Sequence, residues 1–381
     1  MFDARTPLVV ISGGGTGGHL YPALAIADAL RLARPDVRVL FVGAQRGLEA
    51  RVLPERGEEH VLLAVHGIDR RRILGSWRAV TGLVGAILRV VRLFMDSRPA
   101  VVVVTGGYAG APAGIVAGLM GIPLVLQEQN SVPGAVTKLL TRFAVRIHVA
   151  YPEAIARLPM AASRCVVSGN PVRPPSAVDR TEARSSFGVP SDVVVVFVTG
   201  GSQGSLALNR GVVAYVEAVS RSDVVRPDLL HFLWATGRAH FESVASAVEA
   251  AGAPAWVHAV PYVDDMPVAL AAADVALSRA GAMTTAELVN QGLPAILVPL
   301  PTAAEDHQSF NARALEAAGA ARVLPERELT VERLALELEL LVEDTTARET
   351  MRSRALVRAR PHATAEIAAD VATFVPHRRA A

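Results

Sequence analysis

Apolar residues along this chain fall into short runs rich in valine and isoleucine, separated by longer stretches in which they recur every three or four positions. The runs read as strands buried on both faces, and the wider spacing reads as helices packed by one face. Strands are predicted at Leu8–Ser12, Val37–Val42, His60–Val65, Val101–Thr105, Pro123–Gln127, Arg146–Ala150 and Cys165–Ser168. From Ser168 to Asp192, "SGNPVRPPSAVDRTEARSSFGVPSD", the pattern lapses into proline, serine and charge, which predicts a linker. It restarts with a strand at Val193–Thr199 and a helix over Leu206–Ser220. Further strands follow at Leu230–Ala235, Trp256–Val260, Val275–Ser278, Ala295–Val298 and Ala321–Leu324.

Such alternation calls for parallel sheets covered by helices. Twice the chain places a strand, a glycine-rich turn and a helix in sequence, as "VVISGGGTGGHLYP" and "VVVFVTGGSQGSLALN". The expected fold is therefore α/β, with two Rossmann-like domains over 1–172 and 173–360. Ligands bind such sheets beyond the strand C-termini, so the two domains are expected to face each other across a cleft. After Val331 the chain reads as helical and charged, and its last helix, about 361–376, is expected to pack back on the first domain.

Ala100 to Leu126 contains no charged residue and is long enough to cross a bilayer. Gly106, Gly107, Gly110, Pro112 and Pro123 nevertheless divide it into strand, loop, helix and strand, so it is expected inside a sheet domain. Composition adds a few constraints. A formal charge of +2 gives no support to nucleic-acid binding, and Lys138 is the sole lysine. Cys165 is the only cysteine, which excludes an intrachain disulfide and a cysteine metal cluster. No signal peptide is expected at the N-terminus, and the cytoplasm is the compartment that fits best.

A helix that starts after a glycine turn presents unpaired N–H groups and a positive dipole end, and so attracts phosphate. Gly13 to Gly18 also satisfy the dinucleotide fingerprint, but the following strand ends "VLFVGAQ" without the acid that would hold a ribose. The P-loop pattern is absent. Glu287, in the early turns of a helix after "ALSRAGAMTTAE", either answers the helix dipole or holds ribose hydroxyls, and Thr284 and Thr285 add hydroxyls at the same helix start. In "LPTAAEDHQSFNA", Glu305, Asp306, His307 and Gln308 either cap a helix or reach a sugar. No D-x-D occurs, so helix termini and arginine are left to neutralise a diphosphate.

Taken together, "GGGTGGHLYP", "TGGYAGAPAG", "EQNSVPG", "SGNPVR", "TGGSQGS", "YVDDMPVALAAADVALSRAGAMTTAE" and "DHQSFNA" resemble, in order, the N-acetylglucosaminyltransferases of peptidoglycan synthesis. The resemblance covers nearly the whole chain. It implies the GT-B glycosyltransferase fold and transfer of GlcNAc from UDP-GlcNAc, with inversion, to the undecaprenyl-pyrophosphoryl-MurNAc-pentapeptide lipid. No metal or other cofactor is implied. Thr16, Gly17, Gly18 and Asn130 would line the donor site from the first domain, while Arg173 and Ser202 would contact the diphosphate. Val263 would meet uracil through its backbone, Ala282, Met283, Thr284, Thr285 and Ala286 would hold phosphate, Glu287 the ribose and Gln308 the GlcNAc hydroxyls. Where the family usually has histidine before "EQN", this chain has Gln127.

A single inverting displacement needs a base for the acceptor hydroxyl. His19 is the right type near neutral pH, with capping of the helix as its structural alternative. Glu128 is the second candidate base, or else it orients Asn130 and its loop. The acceptor's polyprenyl tail implies contact with the inner face of the cytoplasmic membrane, and proteins of cell-wall assembly are further candidate partners. Ile73, Trp77, Val80, Val84, Ile87, Val91 and Phe94 fall at helical spacing beside several arginines. Most of that stripe is expected to be core, with Ile73, Leu74 and Trp77 dipping into the interface. A UDP-GlcNAc 2-epimerase of the same architecture and a non-catalytic sugar-nucleotide-binding subunit are the rival readings.

Overall fold

The computed structural model describes residues 6–65, 77–175 and 177–376, with the side chains of 77–81 outside that description. Its strands are β1 (Leu8–Gly13), β2 (Arg38–Ala44), β3 (His60–Leu63), β4 (Val101–Gly106), β5 (Leu124–Glu128), β6 (Arg146–Val149), β7 (Cys165–Val167), β8 (Val194–Thr199), β9 (Leu230–Ala235), β10 (Val257–Val260), β11 (Val275–Ser278), β12 (Ala295–Leu297) and β13 (Ala321–Val323). Every predicted run is a strand. The first seven form one parallel sheet in the order β3-β2-β1-β4-β5-β6-β7, and the other six form a second in the order β10-β9-β8-β11-β12-β13. Both orders reverse direction beside the strand that feeds a glycine turn, as in a doubly wound sheet.

The chain divides into two compact units, Met1–Val172 with His362–Ala381, and Arg173–Pro361. In the first, strand side chains alternate between two apolar layers. Val10, Leu40, Val102 and Val104 face a layer completed by Val90 and Phe94 of the helix Trp77–Asp96 and Val116 of the helix Gly110–Leu119. Val9, Ile11, Phe41 and Val103 face the other layer. There Leu20 and Ile26 of the helix Gly17–Ala33 meet Ile367 and Val371 of the helix Ala363–Thr373. That last helix is also tied by polar contacts. His148 Nε2 lies 3.0 Å from Asp370 Oδ2, and Thr364 Oγ1 donates to the Val172 carbonyl at 3.1 Å.

In the second unit, Val194, Val196 and Val198 of β8 pack with Leu208 and Tyr215 of the helix Leu206–Ser220 and with Leu334, Leu338 and Leu341 of the helix Val331–Glu343. The uncharged stretch from Ala100 to Leu126 is β4, the helix Gly110–Leu119 and the start of β5. Among the described residues, no helix is long and apolar enough to cross a membrane.

Part of the predicted linker is a helix, Arg180–Ser186, started by the Asp179 side chain, which accepts from Thr181 N at 2.8 Å. Hydropathy does not reveal it because the only residues it buries are the small Ala183 and the charged Arg184. The buried guanidinium donates to the Ala272 carbonyl at 3.1 Å and to Asp274 Oδ2 at 2.5 Å. Along Trp77–Asp96 the apolar stripe is core at Phe94, with Ile87 and Val91 packed against it, but Val84, one turn nearer the helix start, is exposed.

Candidate active site

The first glycine turn follows β1, and Thr16 occupies the N-cap of the helix Gly17–Ala33 without a side-chain cap bond. Thr16 and Gly18 are exposed, while Gly17 and His19 are partly buried. The His19 ring does not cap the helix. It turns back to the end of β4, where Nδ1 lies 3.0 Å from the Thr105 carbonyl and 2.9 Å from Gln129 Oε1. Gly106 and Gly107 make room for it, at φ of 99° and 73°. A Cβ on Gly106 would stand 2.9 Å from Nδ1, and one on Gly107 would stand 2.1 Å from the Gly14 carbonyl oxygen. The conjunction of "GGH" and "TGGY" is thus a steric requirement of the ring.

The first loop already holds an anion of its own. Glu49, fully buried at the start of the helix Glu49–Glu55, accepts from Gly15 N and Ala44 N at 3.0 Å each. A Cβ on Gly14 would fall 2.3 Å from its Oε1. Gly15 N–H is therefore not open to a phosphate, which narrows the anion site expected there. Sequence reasoning sought an acid at the end of β2 and missed this one, because its carboxylate returns from beyond the next turn. Tyr108 was also missed. Its hydroxyl donates to the Arg46 carbonyl at 2.8 Å, tying that turn to the loop after β4.

Glu128 ends β5 and is buried. Its Oε1 accepts from Asn130 N at 3.1 Å and Asn130 Nδ2 at 3.3 Å. Its Oε2 accepts from Gly134 N at 3.0 Å and Thr137 Oγ1 at 2.6 Å. Four donors occupy the four lone-pair positions of a carboxylate. Of the two roles open to Glu128, this geometry supports holding the 130–137 loop, which presents Asn130.

In the second unit, Ser202 is exposed in the turn after β8, and Val263 is buried in the segment after β10. Ala282, Met283, Thr284 and Ala286 are partly buried at the start of the helix Ala282–Gln291, whose N-cap is Gly281. The Thr285 hydroxyl is engaged within its own helix start. The side chain is buried, and Oγ1 donates back to Gly281 and Ala282 carbonyls at 3.0 and 3.1 Å, because a threonine one turn into a helix finds those carbonyls within reach.

Arg173 and Glu287 are brought together, lining one small pocket with Pro267, Leu270 and Gln291. Burial pushes the Glu287 carboxyl up to about 7, and Arg173 pulls the other way. Gln308 accepts through Oε1 from Ala280 N at 3.2 Å and Leu300 N at 3.0 Å. Both partners are N–H donors, so the amide must face them with oxygen and present its N–H2 as the donor end. Asp306 stands at the N-cap of the helix His307–Ala317 but makes no side-chain cap bond, and both it and Glu305 have left-handed backbones, at φ of 56° and 52°.

A residue that sequence reasoning passed over joins these loops. Arg279 is buried; its Nε donates to Ser205 Oγ at 3.0 Å, its Nη1 to the Val298 and Pro299 carbonyls at 3.2 Å each, and its Nη2 pairs with Glu326 at 2.5 Å. The arginine in "LSRAGA" was the available signal.

Two doubly wound units, one with a histidine at its first glycine turn and the other with an arginine beside a carboxyl on the helix Ala282–Gln291, place the chain in the GT-B class of glycosyltransferases. Residues 9–149 match the glycosyltransferase family 28 N-terminal domain and residues 195–368 the family's C-terminal domain; the chain belongs to that family. It is 40% identical over 371 residues, 97% of either chain, to the UDP-N-acetylglucosamine–N-acetylmuramyl-(pentapeptide) pyrophosphoryl-undecaprenol N-acetylglucosamine transferase of Salinibacter ruber. Among solved structures it is similar to Acinetobacter baumannii MurG, with TM-score 0.78 and 26% identity over 96% of this chain and 99% of that one. Similarity to the UDP-GlcNAc 2-epimerase of Neisseria meningitidis, TM-score 0.65 at 14% identity over 96% and 99% of the chains, shows a shared fold.

Glu128→Gln would set an amide N–H2 against a backbone N–H at a buried position, at a cost of about 1–3 kcal/mol. The expected result is a lower calorimetric unfolding midpoint accompanied by lower turnover. An unchanged midpoint with turnover abolished would instead place Glu128 in the chemistry.

Proposed function

We propose that this chain transfers GlcNAc from UDP-GlcNAc to the 4-hydroxyl of MurNAc in undecaprenyl-pyrophosphoryl-MurNAc-pentapeptide, forming a β-1,4 link, while seated peripherally on the inner face of the cytoplasmic membrane. The observation that carries this reading is the 40% identity, over 97% of either chain, with a transferase named for that donor and acceptor. In the proposed step the acceptor oxygen attacks the anomeric carbon, and its proton passes to His19 Nε2. The bond from that carbon to the diphosphate oxygen breaks, and UDP leaves with the electron pair. Arg173, Ser202 and the helix start at Ala282 to Ala286 are assigned to the diphosphate, Glu287 to the ribose, Val263 to the uracil and Gln308, through its N–H2, to the sugar. Thr16, Gly17, Gly18 and Asn130 complete the reading from the first unit.

The membrane face is assigned to the helix Trp77–Asp96. Leu88 and Met95 are 65% and 72% exposed there, beside exposed Arg89 and Arg92, the combination that an anionic lipid surface attracts. Ile73 and Leu74 lie outside the described residues, as does the side chain of Trp77.

Radiolabelled UDP-GlcNAc, given with and without a short-chain lipid acceptor, tests the reaction: UDP release should require the acceptor, and acceptor-independent epimerisation would overturn the assignment. In the same assay His19→Ala is expected to lower turnover by about 100-fold or more while UDP-GlcNAc still binds; near-normal turnover would make His19 structural. A carboxylate accepts both ribose hydroxyls best when it is ionised, because the protonated acid gives up one acceptor oxygen to its O–H. With Glu287 at about 7, calorimetric affinity for UDP-GlcNAc should therefore rise as pH goes from about 6 to about 8, by about tenfold. The rise should vanish in Glu287→Gln, and a flat native profile would remove Glu287 from the ribose. Co-sedimentation with anionic vesicles should weaken in a Leu88→Ser, Met95→Ser double variant; undiminished binding would count against this face.

A further inference from the structure

Gln129 is buried just beyond β5, and its side-chain amide has only one satisfactory orientation. Its Nε2 faces the Thr105 carbonyl at 2.6 Å, the Gln127 carbonyl at 3.1 Å and, more closely still, Gln127 Oε1. All three are acceptors with no proton to give, so this end must be the N–H2. The oxygen end then meets His19 Nδ1 at 2.9 Å. An amide oxygen and a backbone carbonyl, Thr105 at 3.0 Å, are both acceptors, so Nδ1 has to carry the proton. A neutral imidazole has one N–H, and Nε2 is left with its lone pair.

The orientation is itself supported from behind. Gln127, having accepted through Oε1, donates through Nε2 to Asn170 Oδ1 at 3.1 Å. Asn170 Nδ2 donates in turn to the Gln129 carbonyl at 3.1 Å, closing the chain of amides on the residue where it began. The three side chains are buried, and none of them titrates.

We propose that Gln129 is a positioning residue for the transfer reaction: oriented by the Gln127–Asn170 amides and two backbone carbonyls, it locks His19 in the tautomer whose Nε2 can receive the acceptor's proton. The proposal rests on the reading of His19 as the base. Its failure is read from the ring itself, whereas failure of the base reading is read from turnover of His19→Ala.

The test is 15N NMR of histidine-labelled full-length protein, with the His19 signals assigned by their loss in His19→Ala, alongside steady-state kinetics. The native ring is expected to be protonated on Nδ1. In Gln129→Met, which keeps the side chain's length and removes its acceptor, the ring should shift toward a mixture of tautomers. Its kcat should fall by about tenfold or more while the KM for UDP-GlcNAc moves by less than about threefold. Gln127→Met, which leaves the backbone carbonyls in place, should shift both readouts the same way by less, and serves if Gln129→Met does not fold. A native ring protonated on Nε2, an unmoved tautomer in the variants, or a shifted tautomer with normal kcat would each overturn the proposal.

Discussion

At the C-terminal edge of the first sheet and just past it, the chain buries Glu49, Gln127, Glu128 and Gln129, and a polar group taken out of water has to be paired inside the protein. The loops there take their shape from that demand. Glu49 draws the first glycine turn and the end of β2 onto one carboxylate, and Glu128 gathers the 130–137 segment onto another. Gln127 and Gln129 fill the space between with amides that satisfy one another and the His19 ring. His19 is therefore placed by tertiary bonds as much as by its position on a helix. The glycines around it are sterically obliged, since a Cβ on Gly14, Gly106 or Gly107 would collide with one of these polar groups or with the loop backbone.

The two glycine turns consequently do different work despite their similar spelling. One amide of the first is satisfied by an internal carboxylate, so that unit contributes a fixed ring and a shaped loop more than a positive nest. The second unit instead brings Arg173 to Glu287, whose carboxyl burial pushes up to about 7, on the helix that starts at Ala282. A cation and the positive end of a helix dipole are the kind of groups that favour an anion.

The strands were legible because a parallel strand buried on both faces must be written as a continuous apolar, largely β-branched run, and β4 and β8 each hold four valines in six residues. The helix Arg180–Ser186 was not, since it is anchored by a buried guanidinium that hydropathy scores as surface. The same limit governs the site. Glycine motifs and the acid on the helix Ala282–Gln291 can be read locally, as can a histidine after a turn. Glu49, Gln129, Asn170 and Arg279 each have at least one partner more than 30 residues away, and nothing in their immediate sequence reports that partner. Thr285 is the converse case, a hydroxyl in a suggestive place whose nearest acceptors belong to its own helix.

Arg279 shows why the second unit's loops can be both irregular and fixed. A buried cation is tolerable only when its charge is met and its N–H groups are filled, and a planar fork of donors can reach several loops at once where a single ammonium could not. Here the fork spans the N-cap serine of the helix after the second glycine turn, the two carbonyls that follow β12 and a glutamate beyond β13. The carbonyls at Val298 and Pro299 stand next to Leu300, whose N–H orients Gln308. The arginine thus ties the start of the helix after the second glycine turn to the strand end that neighbours Gln308. A segment such as Glu305–Asp306, with two successive left-handed residues, persists only where its surroundings over-determine it. The fork of Arg279 and the double acceptance by Gln308 hold the backbone on its N-terminal side.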